Sequence, residues 1–147
     1  MTKETAKFDL EARTAALGTR VIGFAKTIPL NPVTAPLVPQ LVRSATSVGA
    51  NYCEADDAES RKDFRHKIGI CKKEAREVKH WLQMVVAAEP GLKADARVLW
   101  QEAKELNLIF NAIADNLRKS FQARHTDLLF SSPALFHTRK DAQRMRD

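Results

Sequence analysis

The sequence predicts an all-α protein: an antiparallel up-down-up-down four-helix bundle over residues 1–121, with a C-terminal extension over 122–147. Three observations carry that expectation. Four segments each place apolar residues at alternating spacings of three and four, the seam that lets helices pack nearly parallel around a shared axis. Only 5 Gly and 6 Pro occur in 147 residues, and four of the prolines fall between Pro29 and Pro39, which leaves long uninterrupted segments. The links between segments are short, and short links join antiparallel neighbours.

Helix 1 is expected from about Asp9 to Thr27, where Leu10, Thr14, Leu17, Val21, Phe24 and Ile28 keep the seam. Pro29 and Pro32 stop it, because proline has no N–H to donate and constrains the residue before it. Thr34 is then the expected N-cap of helix 2, with Pro36 tolerated in the first turn. That helix runs to about Asp56 with Leu37, Leu41, Ala45, Val48, Tyr52 and Ala55 as its apolar stripe. A second, polar stripe of Gln40, Arg43, Ser47, Asn51 and Glu54 accompanies it. Gly49, in mid-helix, costs about 1 kcal/mol against Ala, so a close approach to its backbone by another helix is expected.

Ser60 with Asp63 resembles a capping box that opens helix 3, which reaches about Ala88. At ~1.5 Å per residue it spans roughly 43 Å. Its seam is Phe64, Ile68, Cys71, Ala75, Val78, Leu82 and Val85. After Pro90-Gly91, helix 4 is expected from about Lys93 to Phe121 on Ala96, Leu99, Ala103, Leu106, Phe110, Ile113 and Leu117. The tail does not continue the seam. Leu128, Leu129, Phe130, Leu135 and Phe136 surround Ser131-Ser132-Pro133, and either a peripheral extension or disorder fits that composition.

Hydrophobic residues at 44% and charged residues at 29% are the composition of a globular chain, long enough to bury a core without disulfides or metal. The net charge of +6 is uneven: Arg61–Glu89 carries +4 and Thr34–Ser60 carries −3. That distribution suits either an anionic partner or a complementary subunit. The start, MTKETAKFDLEA, has no apolar core of signal-peptide length, and the run MVVAA at 84–88 is too short to span a membrane. The expectation is a cytoplasmic protein with reduced thiols and no membrane partner.

Little in the chain points to chemistry. Cys53 and Cys71 lie on or beside apolar stripes and read as packing residues. Glu77-Val78-Lys79-His80 has the spacing of a bundle metal ligand pair, and Asp63-Phe64-Arg65-His66 is its shorter relative. A di-metal site needs such motifs on two helices, and both of these are on helix 3, ~21 Å apart along its axis. No nucleophile–base arrangement or phosphate-cradling glycine loop stands out, so neither a catalytic activity, a cofactor nor a metal is expected. Lys62, Arg65, Lys72, Arg76 and Lys79 share one face of helix 3, with Lys67 and Lys73 beside it. Such a stripe either meets nucleic-acid phosphates or is a solvated face that pairs with carboxylates of helix 4 or another subunit. No aromatic residue interleaves with it, which argues against base stacking. Trp81 and Trp100 read as packing or subunit-interface residues.

The stretch Gln40-Leu41-x-Arg43-Ser44-Ala45-x-Ser47-Val48-x-x-Asn51-x-x-Glu54 resembles the signature of the 23S rRNA intervening-sequence family, often called simply four helix bundle protein. Ser60, Asp63, Phe64, Lys73-Glu74-Ala75-x-Glu77 and Trp81-Leu82 continue the resemblance, which covers roughly Phe8 to Ser120. Ala55 stands where the family has glycine. The fold is also similar to that of the accessory protein of diversity-generating retroelements, a basic pentamer that binds a reverse transcriptase and nucleic acid. The resemblance implies a homo-oligomer, a pentamer by analogy, and implies no established biochemical role.

Physically, helices 2 and 3 run antiparallel about a turn near Ala58–Glu59, so facing positions sum to about 117. That puts Arg43 opposite Glu74, Gln40 near Glu77 and Asn51 near His66, and predicts a partly buried Arg43–Glu74 pair that sets the hairpin's register. Two functions remain in view. One is a non-enzymatic homo-oligomeric scaffold that engages a protein partner or its own copies. The alternative is an accessory factor that binds RNA or DNA through Lys62, Arg65, Lys72, Lys73, Arg76 and Lys79.

Overall fold

The computed structural model describes residues 9–130, most of which are helical. Four helices follow in order: α1 (Leu10–Ala25), α2 (Leu37–Asp56), α3 (Arg61–Ala88) and α4 (Lys93–Phe130), with a 3-10 turn at Pro90–Leu92 before α4. No strand occurs among the described residues. The chain divides into two compact units at the Ala114–Asp115 boundary. The first unit holds α1, α2, α3 and the part of α4 up to Ala114.

Each start has a local cause. Asp9 caps α1 by accepting a hydrogen bond from the Ala12 N–H, and Ser60 caps α3 by accepting from Asp63 N–H, both at 3.0 Å. The sequence expectation at α2 needs correction. The helix begins at Leu37, after Pro36, and has no side-chain cap. Thr34 is instead fully buried in the preceding turn. Its hydroxyl donates to the Pro29 carbonyl at 2.6 Å and accepts from Asn31 N–H at 3.0 Å. Thr34 thus closes the proline-rich loop, whose backbone lacks donors at Pro29 and Pro32.

Contacts along the helices define their directions. Gly18 meets Ala45 and Thr46, and Gly49 meets Thr14 and Ala15, so α1 and α2 are antiparallel. Arg43 reaches Glu74 and Glu77 while Glu54 reaches Lys67, so α2 and α3 are antiparallel too. Asn107 on α4 donates to the Lys72 carbonyl on α3, and Trp100 lies by Lys79. The order is up-down-up-down.

The predicted seams meet inside. Leu17, Val21, Leu41, Val48, Ile68, Val78, Leu82, Leu106 and Phe110 are almost fully excluded from solvent. Phe64, Leu37, Tyr52 and Ile113 close the rim as partly buried residues. Thr14 enters this core because its hydroxyl donates to the Leu10 carbonyl at 2.6 Å, which satisfies the polar atom within its own helix. Each fully buried large aliphatic or aromatic side chain stabilises the fold by roughly 1.5–3 kcal/mol.

In the second unit, α4 continues nine residues past Phe121, its expected end. Arg118 pairs with Asp115 at 3.1 Å and Phe121 stacks on His125, both contacts between residues one turn apart. The remainder of the tail, with Leu135 and Phe136, lies outside the described residues. No described helix is long and apolar enough to cross a membrane.

Candidate functional site

Helix α3 presents four different surroundings around its circumference, and the sequence spacing dictates which side chains meet each. The seam faces the core. Toward α2 lie Glu74 and Glu77. Arg43 donates from Nη1 to Glu74 at 3.2 Å and from Nη2 to Glu77, while its Nε donates to Gln40 Oε1 at 3.3 Å. The two glutamates, Glu77 foremost, hold the Arg43 guanidinium above its ordinary pKa. Four of the predicted signature residues, Gln40, Arg43, Glu74 and Glu77, therefore form one cluster across the α2–α3 seam.

The other three do not join it. Asn51 donates to the Ser47 carbonyl at 2.8 Å within α2. Glu54 pairs with Lys67 farther along the hairpin and raises the lysine's pKa. Cys53, expected to pack in the core, is exposed. It falls one position past Tyr52, and this small offset turns it into the groove between α1 and α2. Cys71 is buried, donates to the Val48 carbonyl at 3.6 Å, and has its pKa pushed by burial up to about 12. A thiol so held is a poor nucleophile.

Toward α4, the Lys72 carbonyl accepts from Asn107 at 2.8 Å, and the Lys79 and Lys104 ammoniums each lie 5.5 Å from the centre of the Trp100 ring. Trp81 meets His80 edge-on at 4.8 Å. Both tryptophans pack against the core from its rim. Glu77 is engaged by Arg43 and His80 by Trp81, so the Glu-x-x-His spacing gathers no ligand set. No cluster of three His, Cys, Asp or Glu residues suited to a metal occurs among the described residues.

The fourth face is the basic one. Lys62, Arg65, Lys72, Lys73 and Arg76 are all exposed, and among the described residues none has a carboxylate within ion-pair distance. Lys79, the sixth predicted residue, turns from them to the α4 edge at Trp100. The carboxylates that the stripe was expected to find on helix 4 are used elsewhere. Arg13 of α1 takes Glu102 at 2.7 Å and Glu105 beside it, and Glu102 chiefly raises the Arg13 pKa.

Sequence spacing missed one feature of this face. Lys62, Arg65, His66, Gly69, Ile70 and Lys73 line an open hollow of about 620 Å³. Its signal was the mid-helix glycine Gly69, set among the cations of the stripe.

The sequence of residues 7–112 matches the 23S rRNA-intervening sequence protein family. Among curated proteins, none matches. A similar solved structure is that of a protein of unknown function from the S23 ribosomal protein family of Bacteroides thetaiotaomicron, with 28% identity and a TM-score of 0.63. The likeness covers 71% of this chain and 97% of that one. The family match spans well over half of the chain, and this chain belongs to the 23S rRNA-intervening sequence protein family.

Proposed function

We propose that this protein is a non-enzymatic binding protein that engages nucleic-acid phosphates through the outer face of α3. One observation carries the reading. Five cations, Lys62, Arg65, Lys72, Lys73 and Arg76, crowd one exposed helix face with no carboxylate in ion-pair distance among the described residues, whereas Arg13 and Arg43 each engage two glutamates. Like charges at helical spacing repel one another, so such a face is a standing cost that a polyanion relieves. Neutralising phosphates releases counterions, which makes the interaction sequence-independent and salt-sensitive.

The test is a titration of the full chain with RNA and DNA at about 50 and 200 mM salt. If five phosphates are neutralised on a duplex, the log–log salt slope is roughly −4.5. The double substitution Lys72→Glu/Arg76→Glu removes binding while leaving the melting temperature close to the parent's. Absence of binding at the lower salt would overturn the proposal.

Self-assembly into a scaffold is a second reading, compatible with the first. Its support is the groove between α1 and α2. Ile22 is 41% exposed beside a groove lined by Gly18, Thr46, Gly49 and Ala50. By analogy with the retroelement accessory protein the assembly is a pentamer, and light scattering of the purified chain reads it directly. A monomer at working concentration would remove this second reading.

A further inference from the structure

Glycine inside an α-helix has a cost, so each one calls for a cause. Gly18 and Gly49 have theirs: a Cβ on either would lie 3.4–3.7 Å from the facing helix. A Cβ on Gly23, two residues before the end of α1, meets nothing within 4 Å among the described residues, and neither does one on Gly69. Gly69 is in the interior of α3 and is exposed. What Gly69 does have is position. It follows Arg65 by four residues and precedes Lys72 by three and Arg76 by seven, so it is in the centre of the cationic face. The hollow it creates is walled by Lys62, Arg65 and His66 on one side and Lys73 on the other. Arg65 and Lys73 are ~12 Å apart along the helix axis.

We propose that this hollow seats one phosphodiester strand of a nucleic-acid duplex, which crosses α3 over Gly69. The inference rests on the nucleic-acid reading given above and adds to it the point of contact and the strandedness of the partner. Charge complementarity assigns the occupant. Three of the lining residues, Lys62, Arg65 and Lys73, are cations set around Ile70 and His66, no carboxylate answers them among the described residues, and the missing side chain lets a strand reach the helix backbone between them. Strandedness follows from the aromatics. Single-strand binders stack unpaired bases on open rings. Here the Trp100 ring is attended by two ammoniums, and the hollow itself contains no aromatic apart from the His66 imidazole. A duplex keeps its bases stacked on each other and offers the protein its backbone alone.

The experiment measures fluorescence anisotropy of the full chain with a labelled short duplex and with one of its single strands. Gly69→Leu and Gly69→Gln fill the hollow without changing charge, and Gly69→Ala barely fills it. The expected result is a loss of duplex affinity of roughly tenfold or more for Leu and Gln, and a smaller loss for Ala. Melting temperatures should be equal to the parent's or higher, since no neighbour is displaced. The parent should bind duplex in preference to single strand. If Gly69→Leu and Gly69→Gln bind like the parent while Lys72→Glu/Arg76→Glu does not, the seat is wrong and the cationic-face reading survives. A single strand bound as tightly as the duplex overturns the assignment of strandedness. Displacement of the duplex by poly-glutamate at matched charge overturns it in favour of an acidic protein.

Discussion

Gly49 and Gly69 occupy the interiors of adjacent helices, and their surroundings are opposite. At Gly49 the α1 backbone at Thr14 and Ala15 comes within 3.4–3.5 Å of where a Cβ would be, whereas at Gly69 there is open solvent. The first glycine lets two helices of the same chain close on each other. Nothing among the described residues approaches the second. The same contrast runs through the charges. Arg43, Glu74 and Glu77 form a closed cluster along the α2 edge of α3, while Lys62, Arg65, Lys72, Lys73 and Arg76 have no anionic partner among the described residues. One helix thus carries a settled edge and an unsettled face. Intramolecular packing explains the first and contributes nothing to the second.

Branched side chains should separate the two glycines most sharply. Gly49→Ile forces γ-carbons against the α1 backbone and should destabilise the fold by about 1–3 kcal/mol through overpacking. Gly69→Ile displaces nothing and gains helix propensity, so its stability should match or slightly exceed the parent's. Urea unfolding of the two variants checks this. Equal destabilisation at both positions would mean that Gly69 has an internal packing role, and the contrast would collapse.

How much of this could be read from the sequence depends on whether a residue's role is set by its own helix. The seams were legible because burial recurs every three or four positions, and Ile68, Cys71, Ala75, Val78, Leu82 and Val85 are all buried as the spacing requires. The Arg43–Glu74 pair was legible because an antiparallel hairpin imposes its own register. Thr34 was misread because capping rules look forward to the next helix, while its hydroxyl turned back to the loop at Pro29. Cys53 was misread because one position at a stripe's margin is enough to reverse exposure. The Arg13–Glu102–Glu105 cluster joins residues far apart in the chain, and no local pattern announces it. The absence of partners along the basic face was likewise invisible, since it depends on where those α4 carboxylates go.

The two cysteines extend the comparison of inside with outside to pH. Burial places the Cys71 pKa near 12, above its ordinary 9.0. Below pH 9 both folded and unfolded chains hold that proton, and the contribution to stability is complete. Between about 9 and 12 the unfolded chain releases the proton and the folded chain keeps it, so stability falls as pH rises, by at most about 1.4 kcal/mol per pH unit. Chemical denaturation from pH 8 to about 10.5 should give a steeper fall for the parent than for Cys71→Ala. Cys53, the other thiol, is exposed. Parallel curves for the parent and Cys71→Ala would show that this thiol is not desolvated.

The smallest effect concerns the charged edge against the charged face. Glu74 is 12% exposed along its side chain and Arg43 is 48% exposed, so their pair is half in water and well short of a fully buried bridge. Screening on the arginine side limits the loss, but Arg43→Ala also strips the cation from a carboxylate that solvent barely reaches. A destabilisation of about 1 kcal/mol is expected for Arg43→Ala, against a change within about 0.5 kcal/mol for Lys73→Ala, whose charge has no partner to lose. A double-mutant cycle of Arg43→Ala with Glu74→Gln isolates the interaction, because the two residues contact each other directly. A coupling energy indistinguishable from zero would make the edge as unsettled as the outer face. The register of the α2–α3 hairpin would then have to come from the apolar seam and the Glu54–Lys67 pair, with Cys71 against Val48 as a cross-helix hydrogen bond outside the charged residues.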